Sequence, residues 1–180
     1  MARIILVTGG ARSGKSTYAE SIYSTQDDVV YIATANIDDE EMKERVKRHQ
    51  LMRSQIWTTF EGTYNLHEAI REAKNYLLDC ITILASTIMF DMTRDHKKIS
   101  GALQKEVEQK ILSELTLLIQ RVKQIDGTLV MVTNEVGSSI VPEQHVARIY
   151  RDIIGNVNQQ IASLCDEVYL VVCGIPLQLK

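Results

Sequence analysis

The chain has 180 residues, of which 45% are apolar and 24% charged, and its formal net charge is −3. That length suits one α/β domain with a full core, and the ordinary composition excludes disorder or coiled coil as a description of the whole. The small negative charge excludes a bulk basic surface for nucleic acid, so the expected anionic partner is a small phosphate ligand held locally.

In chain order, Arg3 to Thr8 reads as a buried strand and Ser13 to Tyr23 as the helix after it. The opening apolar run, Ile4 to Val7, is only four residues long, too short for a secretory leader. No later run approaches a membrane span. Val29 to Ala33 is a second strand. Asp38 to Met52 is polar and helix-like, with four acids, Asp38 to Glu41, in its first turn, where the helix dipole favours them. Ile56 to Phe60 is a short third strand, Tyr64 to Lys74 a helix, and Tyr76 to Ile81 a fourth strand. Ile83 to Met92 is apolar and reads as an inward-packing helix.

A long amphipathic helix follows. Its apolar residues are Leu103, Val107, Ile111, Leu115, Leu118, Val122 and Ile125, at steps of three and four, and Gly127 ends it. Thr128 to Thr133 is a strand, His145 to Leu164 a helix, and Glu167 to Cys173 a last strand. Apolar strands separated by helices imply a mostly parallel sheet covered on both faces. Pro142 and Pro176 are the only prolines, and no Gly/Ser-rich linker divides the chain, so residues 1–180 read as one domain. Cys80, Cys165 and Cys173 form no CxxC pair and lie in or beside apolar runs, which fits buried thiols in a reducing cytoplasm.

Gly9-Gly10-Ala11-Arg12-Ser13-Gly14-Lys15-Ser16 matches GxxxxGK[ST], between an apolar strand and a helix. The glycines let backbone N–H groups face phosphate oxygens, and the helix directs its positive end there. Lys15 is placed to reach the β and γ phosphates, and the Ser16 hydroxyl to bind Mg²⁺. The fold expected is a RecA-like P-loop domain. A second acid near the metal comes from the end of another strand, and Asp79 is the best placed for it. The plain alternative for Asp79 is an acid at an ordinary strand-to-loop junction. Asp91 and Glu135 are weaker candidates of the same kind.

Of the four histidines, His49, His67, His96 and His145, the first is flanked by Arg45, Lys47, Arg48 and Arg53. Such a cluster can hold a phosphate-bearing group beside a nucleophilic imidazole, or it can be a solvated basic helix face. The P-loop alone leaves the acceptor open. A different small-molecule kinase would need no nucleophilic histidine, and a regulatory module would bind nucleotide without turnover.

The segments VTGGARSGKST, YIATANIDDEEMKERVKRH, LLDCIT and VTNEVGSSIVPEQHVARIYRDIIGNVNQQIASLCDEVYLVVCGIPLQLK together resemble the adenosylcobinamide kinase / adenosylcobinamide-phosphate guanylyltransferase family. The resemblance runs from Arg3 to Lys180 and is weakest over residues 62–74 and 83–103. It implies two reactions of cobalamin nucleotide-loop assembly. In one, a nucleoside triphosphate, ATP or GTP, phosphorylates the hydroxyl of the aminopropanol arm of adenosylcobinamide. In the other, GMP passes from GTP to a histidine and then to the phosphorylated corrinoid, giving adenosylcobinamide-GDP.

The family's Arg-x-x-x-His pattern falls on Arg45 and His49, which makes His49 the implied guanylylated residue. The implied guanine and phosphate contacts fall on Ala33, Thr34 and Ala35, on Gln50, Leu51, Met52 and Arg53, on Glu61 and on Asp79. A homotrimer is implied as well. The chain departs from the family's usual pattern in carrying Arg48-His49-Gln50, Arg53-Ser54, and Ile83 to Met89 after LLDCIT.

Overall fold

The computed structural model describes residues 1–34 and 57–180. Seven strands form one sheet: β1 (Arg3–Gly9), β2 (Val29–Ala33), β3 (Thr58–Glu61), β4 (Asn75–Asp79), β5 (Thr128–Val132), β6 (Glu167–Val172) and β7 (Ile175–Gln178). Among the described residues four α-helices accompany them: α1 (Lys15–Ser21), α2 (Ile81–Thr93), α3 (Gly101–Gln124) and α4 (His145–Leu164). The strand order is β3-β2-β4-β5-β1-β6-β7. Every neighbouring pair from β3 to β6 is parallel, and β7 alone runs antiparallel, against β6.

The central strands are apolar throughout because both of their faces are covered. On β1, Ile4 and Leu6 join the core that holds α2, α3 and α4, whereas Ile5 and Val7 join the core that holds Ala19 of α1. The same alternation divides Leu129 and Met131 from Val130 and Val132 on β5. The expected stripe of α3 is present: Val107, Ile111, Leu115, Leu118 and Val122 are all buried. One carboxylate, Glu114, is buried beside that stripe. It is compensated by Lys110 Nζ at 2.8 Å and by the backbone N–H of Leu66 at 3.4 Å.

Three expectations are corrected. Residues 64–74 do not form a helix; only a single 3₁₀ turn, Leu66–Ala69, is present. Leu66 and Ala69 are drawn into the core beside α3, and the chain then extends into β4. There the Asp28 carboxylate accepts from the Lys74 N–H (3.3 Å) and the Asn75 side-chain amide (2.7 Å), and Tyr76 Oη donates to the Ala73 carbonyl (2.7 Å). The local preference for helix yields to these tertiary bonds. The second correction is β7, which had no place among the expected strands. The fourth strand also ends earlier than expected, at Asp79, since Ile81 already belongs to α2. The expected helix from Asp38 to Met52 lies outside the described residues.

Candidate active site

Because the strands are parallel, their carboxyl ends collect on one edge of the sheet, where α/β folds bind ligands. The register places Glu61, Ala33, Asp79, Val132 and Val7 in one lateral row across β3, β2, β4, β5 and β1. Three expected site residues, Ala33, Glu61 and Asp79, therefore share one level of the sheet although they are far apart in sequence. The loop from Gly9 to Ser16 leaves β1 just beyond that row. Ala35, Arg45, His49, Gln50, Leu51, Met52 and Arg53 lie outside the described residues.

The loop is shaped by close backbone approaches. A Cβ on Gly9 would stand 2.6 Å from the Val171 carbonyl and 2.5 Å from Ser13 Oγ, so only glycine fits between β6 and the loop's own return. Gly14 sits at φ +94°, and a Cβ there would meet Gly174 Cα at 3.0 Å. The Ser13 N–H donates to the Gly10 carbonyl at 3.3 Å, and Lys15 Nζ donates to the same carbonyl at 3.0 Å. The lysine thus folds back over the loop it belongs to. The hydroxyls of Thr8 and Ser13 are buried without a hydrogen-bond partner among the described residues.

Across the edge, Asp79 Oδ2 accepts from Tyr31 Oη at 3.2 Å, and β4 ends at a cis bond between Asp79 and Cys80. Burial pushes the Cys80 thiol above its ordinary pKa, and the neighbouring Asp79 charge adds to it; Thr82 and the Lys15 cation act in the opposite sense. Thr34 is buried and its hydroxyl is committed to structure: it donates to the Cys80 carbonyl at 2.8 Å and accepts from the Cys80 N–H at 2.9 Å. It ties the end of β2 to the end of β4.

A polar brace next to this edge is a feature that sequence reasoning missed. Asn134 donates to Thr82 Oγ1 at 3.0 Å, Tyr150 Oη to the Thr82 carbonyl at 2.8 Å, and Asn158 Nδ2 to the Asn134 carbonyl at 3.2 Å. Thr133 Oγ1 donates to Asn158 Oδ1 at 2.7 Å, and the Glu135 N–H donates to the Gly9 carbonyl at 3.0 Å. The end of β5, the first turn of α2 and the middle of α4 are thus fastened to the loop. The available signal was polar residues, Asn134 and Asn158, inside otherwise core-facing patterns. Asp91, by contrast, accepts from Tyr64 Oη at 2.8 Å and lies about 15 Å along α2 from its start.

Among the described residues no group of three or more His, Cys, Asp or Glu gathers as a ready-made metal cage. Ser16 and Asp79 offer a hydroxyl and a carboxylate, hard oxygen donors of the kind Mg²⁺ takes when phosphate oxygens complete its shell. Asp79 Oδ2 is engaged by Tyr31, which orients the carboxylate. This donor chemistry fits the ion.

The family model described as cobinamide kinase / cobinamide phosphate guanyltransferase matches residues 5–179. A bifunctional adenosylcobalamin biosynthesis protein, CobU, of Escherichia coli is 42% identical over 181 residues, covering 98% of this chain and 99% of that protein. The protein of the same name from Salmonella typhimurium is 40% identical over 181 residues, with the same coverage. The bifunctional adenosylcobalamin biosynthesis protein CobP of Pseudomonas aeruginosa is 32% identical over 180 residues, covering 97% of this chain and 96% of that protein. Among solved structures, a type III secretion ATPase of pathogenic bacteria matches with a TM-score of 0.63 at 11% identity, over 98% of this chain and 56% of that one. At that identity the likeness is one of fold.

Proposed function

Because the chain belongs to the cobinamide kinase / cobinamide phosphate guanyltransferase family, we propose that it carries both reactions on one P-loop domain spanning residues 1–180. The first is transfer of the γ-phosphoryl of ATP or GTP to the aminopropanol hydroxyl of adenosylcobinamide. The second is transfer of GMP from GTP to the phosphorylated corrinoid, giving adenosylcobinamide-GDP. The observation that carries this reading is the meeting of the Gly9–Ser16 loop and Asp79 at one sheet edge, in a chain with relatives of that double function over nearly its whole length.

In this reading the loop's N–H groups and Lys15 hold the β and γ phosphates, and Ser16 and Asp79 hold Mg²⁺. The bound ion would neutralise phosphate charge as it transfers. Ala33, Ala35, Gln50 to Arg53 and Glu61 contact the guanine and the phosphates, while buried Thr34 holds β2 to β4.

His49 is the nucleophile for GMP. An imidazole nitrogen attacks the α-phosphorus, a P–N bond forms, the bond to the β-phosphate oxygen breaks, and pyrophosphate leaves. A phosphate oxygen of the corrinoid then attacks the same phosphorus and releases the imidazole. The flanking Arg45, Lys47, Arg48 and Arg53 disfavour an added proton and stabilise the anionic transition state. The reading also includes a homotrimer and a cytoplasmic location; no described helix is long and apolar enough to cross a membrane.

Incubation with GTP labelled at the α-phosphate tests it. We expect a covalent label that is acid-labile and base-stable, and its loss in His49→Ala. Phosphorylation of adenosylcobinamide should persist in that variant, because the loop is intact. A His49→Ala protein that still takes the label would make another residue the nucleophile, with His67, His96 and His145 next in line. A wild-type protein that takes no label but phosphorylates the corrinoid would reduce the chain to a kinase.

A further inference from the structure

We propose that Gly174, in the turn between β6 and β7, is a positioning residue that sets the phosphate cradle in its anion-accepting form. The inference rests on the P-loop reading above and adds to it a part that lies outside the motif. Val172 and Ile175 pair across the hairpin, leaving Cys173 and Gly174 as a two-residue turn with φ +52° and +79°. Two successive positive φ values make the tight hairpin turn that matches strand twist. The turn directs the Gly174 N–H at the Ser13 carbonyl, 2.8 Å away. Its Cα lies so close to the loop that a Cβ on Gly14 would come within 3.0 Å of it.

The peptide unit from Ser13 to Gly14 is planar and trans, so its C=O and N–H point in opposite directions. Fixing the Ser13 oxygen from outside the loop therefore fixes the Gly14 N–H toward the opposite side, where the cradle is. Release of that oxygen would let the peptide rotate, and Gly14 at φ +94° is the residue type that opposes such rotation least. A carbonyl turned into the cradle repels phosphate, whereas an N–H attracts it. Affinity would then fall by the fraction of molecules holding the wrong orientation. The hairpin is the only described element outside the loop seen to donate a hydrogen bond to Ser13.

The experiment removes this one donor. Cys173 permits ligation of a thioester of residues 1–172 to a synthetic segment, 173–180, in which glycolic acid replaces Gly174. An ester oxygen then stands where the N–H was, and no side chain changes. The control is the same ligation with all amides. We expect the ester chain to fold and its Kd for GTP to rise roughly three- to tenfold, the scale of one lost hydrogen bond. A bond that only stabilised the fold would lower the melting temperature of the nucleotide-free protein and leave the Kd of the folded protein unchanged. That result would overturn the proposal.

If the ester chain does not fold, Gly174→Asn and Gly174→Val decide. Asn tolerates positive φ and keeps the N–H, so it should bind GTP like wild type, while Val should not. Equal behaviour of the two would overturn the role of Gly174. Lys15→Ala separates this from the parent reading. Unchanged GTP affinity there sinks the phosphate cradle itself, whereas a normal ester chain beside a defective Lys15→Ala protein sinks only Gly174.

Discussion

Asp79 shows how one side chain acquires a role from its neighbours. In sequence it is an acid closing an apolar run. In the structure its carboxylate accepts from Tyr31 at 3.2 Å, and the strand register sets it on the same edge of the sheet as the loop that leaves β1. We expect Asp79→Asn to keep the fold, since the amide oxygen can still accept from Tyr31. It should raise the Mg²⁺ concentration needed for GTP use, with a loss on the order of 1.5–3 kcal/mol for a charge-assisted contact. Titration of turnover against Mg²⁺ checks this, and an unchanged curve would return Asp79 to a purely structural role.

At the scale of elements, β1 and β6 are joined at their amino ends by an ion pair. Arg3 Nη2 donates to Glu167 Oε2 at 2.9 Å, and Tyr169 Oη donates to the same oxygen at 2.7 Å. The hydrogen bond from Arg3 holds the Glu167 carboxyl below its ordinary pKa, against the opposing effect of partial burial. The hydrogen bond to Glu167 also helps push the Tyr169 phenol up to about 12. For a carboxylate depressed in the folded state, the stabilisation is complete above the unfolded pKa of about 4.3 and disappears as pH falls through the lower folded value. Arg3 is half exposed, so solvent screening keeps the contribution within about 1 kcal/mol. Glu167→Gln should therefore lower stability by up to that amount at pH 7 and make no difference near pH 3. Denaturant unfolding at both pH values measures it, and an equal deficit at both would refute the linkage. The far end of α4 is secured differently: Lys180 Nζ donates to the carbonyls of Ala162, Ser163 and Cys165, supplying positive charge at a helix C-terminus.

Over the whole molecule, stability and site occupy different places. The larger core lies between the sheet and α2, α3 and α4, while the candidate site lies on the carboxyl edge. Leu118, fully buried in that core, tests the separation. Leu118→Ala should cost about 2–5 kcal/mol through lost burial and the cavity left behind. That lowers the melting temperature by roughly 2–4 °C per kcal/mol in a chain of this size. GTP affinity of the folded protein at 25 °C should be unchanged. A calorimetric melt and a binding titration on one sample check both halves; a parallel loss of affinity would show that the core reaches into the site.

Much of this was legible in the sequence, because local rules carry it. The central strands announce themselves as apolar runs, since a sheet covered on both faces exposes no polar side, whereas the exposed edge strand β7 gives no such signal. The stripe from Val107 to Val122 follows from the helical period, and the loop from Gly9 to Ser16 from steric and charge demands that few residue types meet. Other features depend on contacts between distant segments, which no local pattern encodes. Residues 64–74 have a helical pattern, yet only Leu66–Ala69 makes a helical turn, and Asp28, far away in sequence, fixes the chain at Lys74 and Asn75 as it enters β4. Strand order and register are likewise long-range choices, and together they put Glu61, Ala33 and Asp79 on one row. Gly9 and Gly14 read as phosphate-loop glycines from the motif; only the packed structure shows that Val171 and Gly174 also exclude any side chain there. The sequence by itself determined which residues can cradle a phosphate, because that is a matter of residue type. The tertiary structure decided what stands around the cradle, because hydrogen bonds such as that from Gly174 to Ser13 join residues separated by most of the chain.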